Sequence, residues 1–297
     1  MIPIRDTIQS GTYPVVNNAI IAANAAVYLL QLTRGAGLHE FFVMYGLVPA
    51  RYSVPEISRY FSFGQQAFSF LSFMFLHGGF WHLLGNMWSL YIFGDNVEDR
   101  IGPLRYLAFY LLCGMTSGLT HLVINAHSQV PTIGASGAIA GVMGAYFVLY
   151  PKSRILTLIP IFFIPYFVEI PAFVFLGIWF VLQFLSAAGP QAQAGGVAWW
   201  AHIGGFVFGI AFLKLFLRVP GIGVTGRLRA VAPKRPTHRL QIIRTSGREG
   251  DPHLYGSIRV TPGEARQGTR KLVNIPWGGQ RRLFNVRVPA GVQEGTV

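Results

Sequence analysis

Charged residues and cysteine are scarce in this chain, and each shortage excludes a class of protein. Only 12% of the 297 residues are charged and 52% are hydrophobic, whereas a soluble domain has roughly 25% charged residues. The mean hydropathy of +0.44 is typical of a membrane protein. The single cysteine, Cys113, excludes an internal disulfide and a cysteine-cluster metal site. We therefore expect a membrane protein that needs no disulfide, metal or cofactor.

Six apolar stretches are candidates for membrane helices, because a crossing of the ~30 Å hydrocarbon core takes roughly 20 mainly apolar residues. The predicted spans are residues 13–33, 68–93, 104–124, 136–150, 170–187 and 197–217. The segment 155–169 contains Pro160 and Pro165 and is too short to cross, so it is predicted to be a partly buried connection. The expected fold is an all-α, polytopic bundle of six transmembrane helices.

Most of the positive charge lies near the C-terminus. Residues 219–297 contain 14 Lys/Arg and 4 Asp/Glu, against 10 and 7 in residues 1–218. Six spans put both termini on one side, and placing them in the cytoplasm satisfies the positive-inside rule. The start of the chain lacks the Arg- and Ser-rich pattern of an organelle transit peptide. We therefore expect a multi-pass protein of the inner membrane of a cell, with both termini cytoplasmic.

The C-terminal residues form a polar tail that differs from the rest of the chain. Residues 219–252 are rich in Arg, Pro and Gly and are predicted to be a linker between a membrane domain, 1–218, and a short β-rich segment, 253–297. Alternation of polar and apolar residues predicts strands at 256–260, 270–275 and 282–288. The basic charge indicates a solvated surface facing anionic lipid rather than nucleic acid, since no nucleic-acid-binding module is recognisable.

The sequence Gly134-Ala135-Ser136-Gly137 begins an apolar helix that ends before Pro151. Its 15 residues rise only ~22 Å, so one end must lie inside the bilayer. Lys152 and Arg154 fix the C-terminal end at the cytoplasmic surface, which leaves Ser136 submerged near the opposite face. A helix N-terminus offers free N–H groups and a positive dipole end to a developing oxyanion. The alternative interpretation is that Ser136 is an ordinary N-cap.

A lone histidine, His202, follows in another apolar helix, and a serine with a histidine is the minimum equipment for acyl transfer. Small-residue stripes would let the two helices approach closely. These stripes are Gly137, Gly141 and Gly144 on one helix and Gly205 and Gly209 on the other. Because His202 shares the face of its glycines, its ring is predicted to point at Ser136. A histidine buried only for packing is the alternative, although ionisable groups at membrane depth are usually functional.

A third cluster of polar residues lies between these features and the N-terminus. His82 and Asn86 are four residues apart, so both project from one helix face and could donate hydrogen bonds to a single oxygen. His77 lies five residues before His82, next to a Gly-Gly pair. These residues predict an oxyanion-binding site that would complete the serine and histidine chemistry.

Taken together, these motifs resemble the rhomboid intramembrane serine proteases of the bacterial six-helix type, over about residues 10–218. The resemblance implies that Ser136 is the nucleophile and His202 the general base, as a dyad without an aspartate. It implies that His82 and Asn86, with the Ser136 backbone N–H, stabilise the oxyanion. Residues expected to support the site are His77, Gly134 and Gly137. The implied substrates are transmembrane proteins, whose helices must unwind before cleavage.

The same resemblance makes Gly94, Glu98 and Gly102 a structural element, and makes span five with residues 188–196 a lateral gate and cap. The first loop, 34–67, departs from the family because it lacks the usual Trp-Arg pair, for which Arg51-Tyr52 and Arg59-Tyr60 are weak substitutes. In the tail, 261–269 and 288–296 resemble the substrate-binding region of DnaJ-type co-chaperones, although no J domain accompanies them.

Two other functions stay open at this stage. A catalytically inactive relative would bind membrane clients without cutting them, although it would be expected to have lost the serine or the histidine. A transporter could also use intramembrane histidines and broken helices, but the chain shows no internal repeat or charged pathway. The oligomeric state and the identity of the substrates do not follow from the sequence.

Overall fold

The chain forms two compact units, Met1–Pro233 and Lys234–Val297. The computed structural model describes residues 1–8, 10–161, 164–189, 197–218, 240–243, 255–277 and 280–296. The helices of the first unit are α1 Val15–Leu32, α2 Leu38–Tyr45, α3 Ala50–Ser53, α4 Pro55–Ser58, α5 Phe63–Ser72, α6 Phe80–Ile101, α7 Pro103–Ile124, α8 Ser136–Leu149, α9 Ala172–Ala188 and α10 Trp199–Arg218. Its strands are β1 Ile2–Asp6, β2 Arg154–Ile161 and β3 Ile164–Pro171.

Three described helices, α1, α7 and α10, are long and apolar enough to cross a membrane, and α8 and α9 are apolar but shorter. The span predicted over 68–93 is not one continuous helix. The chain there forms α5 and a 3-10 turn, breaks, and continues as α6 at a bend of 80°. The break falls at Gly78-Gly79, which cannot sustain a helix as well as the flanking apolar residues do. The count of six spans therefore stays a prediction.

The sequence predicted an all-α membrane unit, and this prediction was wrong. The first unit contains an antiparallel sheet in the order β1-β2-β3. Strands β2 and β3 form a hairpin over most of the segment that was predicted to be an irregular connection. Pro160 and Pro165, which exclude a helix, lie opposite each other near the end of this hairpin. Strand β1 adds to the other side of β2, with Ile2 opposite Leu158, and so ties the N-terminus to the link between α8 and α9.

Glu98 fixes the start of α1 from a distant helix. Its carboxylate accepts hydrogen bonds from the backbone N–H groups of Val16, at 3.1 Å, and Asn17, at 2.7 Å. These N–H groups lie in the first turn of α1, where no intrahelical partner exists. A Cβ on Gly94 would lie 2.1 Å from the Asn17 side-chain oxygen, so only glycine allows this close crossing of α1 and α6. The geometry gives Gly94 and Glu98 a structural role.

Arg51 organises the first loop, although its sequence pattern was only a weak signal. Its side chain is fully buried and donates to the carbonyl oxygens of Val43, at 2.9 Å, and Met44, at 3.0 Å. The guanidinium also lies over the ring of Phe61, 3.7 Å from its centroid. The hydroxyl of Tyr52 donates to the Gln66 carbonyl at 2.7 Å. Arg51-Tyr52 therefore packs the loop against α5.

The second unit contains the β-structure predicted for the tail. Strands β4 Leu240–Ile242, β5 Thr269–Trp277 and β6 Gln280–Val288 form one sheet, with β4–β5 parallel and β5–β6 antiparallel. The strands predicted at 270–275 and 282–288 are confirmed, whereas 256–260 is not a strand. Strand β4 lies within the predicted linker, and the rest of residues 219–252, apart from Ile243, falls outside the described residues. A short helix, α11 Pro262–Gln267, begins with a capping box of Thr261 and Glu264.

A buried carboxyl lies where β1 meets the helices. One oxygen of Asp6 accepts hydrogen bonds from the Tyr146 hydroxyl, at 2.6 Å, and from the Asn96 amide, at 2.8 Å. Asp6 is only 5% exposed. Burial raises the pKa of Asp6 to about 7, the Tyr146 hydrogen bond opposes this rise, and nearby Asp95 adds to it. The folded protein therefore keeps a proton on Asp6 that the unfolded chain has released at pH 5 or 6.

We predict that Asp6→Asn reduces the pH dependence of stability. In the wild type, the free energy of unfolding should fall as the pH rises from about 4 to about 7, by at most ~4 kcal/mol, and then level off. The Asp6→Asn variant should lack this decline. Thermal unfolding in detergent at pH 4.5, 6 and 7.5 measures it, with Glu40→Gln, at an exposed acid, as the control that keeps the wild-type profile. Parallel profiles for wild type and Asp6→Asn would contradict the assignment.

Candidate active site

Ser136 is the first residue of α8 and lies in the wall of a cavity of about 530 Å³. His202, in the first turn of α10, lines the same cavity. The Nε2 atom of His202 lies 2.8 Å from the Oγ atom of Ser136, a hydrogen-bond distance. Residues 66 positions apart thus meet in a pocket, in the geometry that a nucleophile and a base require.

Contacts between backbone and glycine bring α8 and α10 close enough for this hydrogen bond. A Cβ on Gly205 would lie 2.0 Å from the Gly137 carbonyl oxygen, and one on Gly209 would lie 2.2 Å from that of Gly141. On the α8 side, a Cβ on Gly144 would lie 2.3 Å from the Phe206 carbonyl oxygen. No side chain fits between the helices at these points, so the glycines set the distance between the axes.

His82 and Asn86 lie in α6 and face the same cavity as Ser136. The Nδ1 atom of His82 accepts a hydrogen bond from the Gly78 backbone N–H at 3.3 Å, so the proton of the neutral ring is on Nε2. The side-chain nitrogen of Asn86 is buried and has no hydrogen-bond partner among the described residues. Two donors, His82 Nε2–H and Asn86 Nδ2–H, are therefore available to a group in the cavity.

Gly134 leaves room beside His82. Its φ of +129° is rarely adopted by residues with a side chain, and a Cβ there would lie 2.8 Å from His82 Nε2. Its backbone N–H donates to the Phe73 carbonyl at 2.9 Å, which ties the turn before α8 to the end of α5. Glycine at this position thus allows the backbone turn before α8 and leaves space for the His82 ring beside it.

His77 lies behind His82 and is not among the described residues that line the cavity. The two rings pack edge to face, with centroids 5.1 Å apart. The backbone of His77 exchanges two hydrogen bonds with the side chain of Gln31, at 2.7 and 3.0 Å. These bonds attach the bend between α5 and α6 to α1, so His77 supports the wall of the cavity.

Gln183 contacts the site although the sequence reasoning did not identify it. Its side-chain oxygen lies 2.8 Å from Nδ1 of His202. A single amide in the apolar run of α9 is a recognisable signal, but only the packing of α9 against α10 shows what it faces. The rings of Trp179 and Trp199 also flank His202, each with its centroid 6.0 Å from the imidazole.

Among the described residues, no group of three His, Cys, Asp or Glu could hold a metal ion.

Comparison with known proteins places the chain in a family. A model of the rhomboid domain matches residues 64–219, more than half of the chain. The chain belongs to the rhomboid family. It is a multi-pass membrane protein, and the matched region contains the serine, both cavity-lining histidines and the α8–α10 contact.

The similar curated proteins are also rhomboid proteins. The chain is 28% identical to "Rhomboid protein 1, mitochondrial" of Saccharomyces cerevisiae over 204 residues, 65% of this chain and 51% of that protein. It is 28% identical to "Presenilin-associated rhomboid-like protein, mitochondrial" of Rattus norvegicus over 206 residues, 65% of this chain and 46% of that one. A shorter match is to "RHOMBOID-like protein 5" of Arabidopsis thaliana, with 37% identity over 75 residues, which are 25% of this chain and 24% of that protein. The chain thus spans about half the length of the first two relatives.

We predict opposite effects for alanine at two helical glycines. Gly205→Ala should lower the free energy of unfolding by about 2 kcal/mol, because the new methyl group meets the Gly137 carbonyl and forces α8 and α10 apart. Gly177→Ala, on α9, meets nothing within 4 Å and should be neutral or stabilise by up to ~1 kcal/mol. Thermal unfolding of both variants in the same detergent measures the difference, and equal stabilities would show that the glycine contact is not tight.

Proposed function

We propose that this protein is an intramembrane serine protease that hydrolyses peptide bonds in or near the transmembrane helices of membrane proteins. The observation that carries the proposal is the 2.8 Å contact between Ser136 Oγ and His202 Nε2 in a cavity with unused donors. Family membership supports it, since the chain belongs to the rhomboid family. A packing role for the histidine explains neither the serine at hydrogen-bond distance nor the cavity beside it.

In the proposed reaction, His202 Nε2 takes the hydroxyl proton of Ser136 as Oγ attacks the carbonyl carbon of the scissile peptide bond. The tetrahedral intermediate collapses, the C–N bond breaks, and His202 gives the proton to the leaving amine. A water molecule then gives a proton to His202 as its oxygen attacks the acyl carbon. The bond from that carbon to Ser136 Oγ breaks, His202 returns the proton to Oγ, and the new carboxyl group leaves. Neither step requires a metal or cofactor.

The negative oxygen of the intermediate would lie between three donors. The Ser136 backbone N–H is in the first turn of α8, where it has no intrahelical partner. The side chains of His82 and Asn86 supply the other two from α6. A buried donor without a partner costs about 1–3 kcal/mol, and the free Asn86 nitrogen is explained if the oxyanion becomes its partner.

The surroundings of the site agree with a substrate that arrives through the membrane. Helix α9 is apolar, and several of its side chains are exposed, as expected for contact with lipid. We propose that α9 and the residues after it form the gate for a substrate helix, although 190–196 lie outside the described residues. A substrate helix must locally lose its hydrogen bonds before Ser136 can attack, so helix-destabilising sequences should be cut best.

We further propose an inner membrane with both termini on the cytoplasmic side, or the equivalent matrix side of a mitochondrion. The side that carries the basic tail and Lys152 then satisfies the positive-inside rule. Two relatives have "mitochondrial" in their names, which fits the same type of membrane. The second unit would be a water-soluble appendage of the membrane domain, with DnaJ-like sequence in two segments.

The serine and the histidine should be equally indispensable. Ser136→Ala and His202→Ala should each abolish cleavage of a model transmembrane substrate, and the double variant should be no worse, because the two groups act as one unit. A fluorophosphonate should label the wild type in detergent and not Ser136→Ala. The matched control is Ser89→Ala, whose hydroxyl bonds only to its own helix and whose loss should leave turnover unchanged. Turnover in either single variant would favour a different chemistry, and a wild type that is neither active nor labelled would favour a client-binding protein.

The donor on Asn86 should matter to the rate rather than to binding. Asn86→Ala should lower kcat by about 10- to 1,000-fold, with KM nearly unchanged and labelling of Ser136 still detectable. Asn86→Asp keeps the shape but replaces the donor with an acceptor, so it should be at least as damaging. Steady-state cleavage of the model substrate by both variants measures the effect. An unchanged kcat would reduce Asn86 to a helix-packing residue.

A further inference from the structure

Gln183 makes two hydrogen bonds that fix its orientation beside the catalytic base. It lies on α9, is only 7% exposed, and places Oε1 2.8 Å from His202 Nδ1. Its Nε2 donates to the carbonyl oxygen of Trp179, one turn earlier on the same helix, at 3.1 Å. Turning the amide over would break this second bond and set the side-chain oxygen against the Trp179 carbonyl oxygen. The side-chain oxygen therefore faces the imidazole.

We propose that Gln183 is a positioning residue that holds His202 in the tautomer and orientation needed to take the proton of Ser136. The proposal rests on the protease function proposed above. An imidazole nitrogen that faces an oxygen must carry the proton, so Nδ1 is the donor and Nε2 presents its lone pair to Ser136 Oγ. The dyad becomes a chain of three residues in which the third member is neutral.

A neutral third member suits this location. An ionised aspartate or glutamate would place a negative charge at membrane depth, which is strongly unfavourable without a paired cation. An amide oxygen still accepts the Nδ1 proton, and its dipole favours the imidazolium that forms when Ser136 loses its proton. The rings of Trp179 and Trp199 lie close enough to restrict rotation of the imidazole. Helix α9 thus contributes to the chemistry of α8 and α10 through Gln183, which does not itself react with the substrate.

The test compares two substitutions at one position. Gln183→Met has nearly the same length and volume but no acceptor, and should lower kcat by about 10- to 100-fold with KM within ~2-fold. Gln183→Glu, protonated at this depth, keeps an acceptor oxygen opposite Nδ1 and a donor to the Trp179 carbonyl, and should recover kcat to within about 5-fold of the wild type. Leu176→Met is the matched control, because Leu176 is fully buried two turns earlier on the same helix and does not line the cavity. It should retain at least roughly a third of the wild-type kcat.

Turnover is normalised to the fraction of Ser136 that a fluorophosphonate labels at completion, so that a misfolded fraction does not count as slow chemistry. Loss of turnover per labelled site in Gln183→Met, with recovery in Gln183→Glu, supports the proposal. Wild-type turnover per labelled site in Gln183→Met overturns it, and so does an equal loss in both variants, which would mean that Gln183 only packs α9. A wild type that is neither labelled nor active would overturn the protease function itself, a result distinct from the others.

Discussion

The structure around the site depends on the direct contact of α8 with α10 through glycine. Hydrophobic attraction between helices is weak in lipid, because lipid tails are as apolar as leucine. Close packing replaces it, and glycines at 144, 205 and 209 allow backbone to meet backbone. The 2.8 Å distance between Ser136 and His202 is a consequence of this contact. A methyl group at any of these three glycines would meet the backbone of the facing helix and force α8 and α10 apart.

Polar groups are few in the first unit, and the described ones that are buried largely hold one element to another. Glu98 closes the N-terminus of α1, Gln31 attaches α1 to the bend before α6, and Asp6 joins β1 to α6 and α8. In a low-dielectric interior each such bond is strong, and each unpaired group is costly. The unpaired side-chain nitrogen of Asn86 is therefore informative, because it lies at the cavity, where a bound group can accept its hydrogen bond.

The bend at Gly78-Gly79 and the hairpin of β2 and β3 show how local sequence and tertiary context share control. The glycine pair interrupts an apolar run, so the helix breaks there and the chain turns by 80° into α6. This turn places His82 and Asn86 beside the start of α8. The prolines at 160 and 165 exclude a helix between α8 and α9. The composition of this segment does not by itself predict a strand, and pairing with β1 completes the sheet.

Local sequence patterns were enough to predict the membrane class and five of the six helical segments to within a few residues, and they indicated Ser136, His202, His82 and Asn86 as the candidate site. Each of these depends on local features: apolar runs, helical spacing, and a serine or histidine where polar residues are rare. The sheet formed by β1, β2 and β3, the burial of Arg51, and the contact of Gln183 with His202 became visible only in the folded protein. These features join residues far apart in the chain, and a glutamine in an apolar helix looks the same in the sequence whether it faces a histidine or a lipid. The pairing is fixed by the rotation and distance of packed helices, which local pattern does not contain.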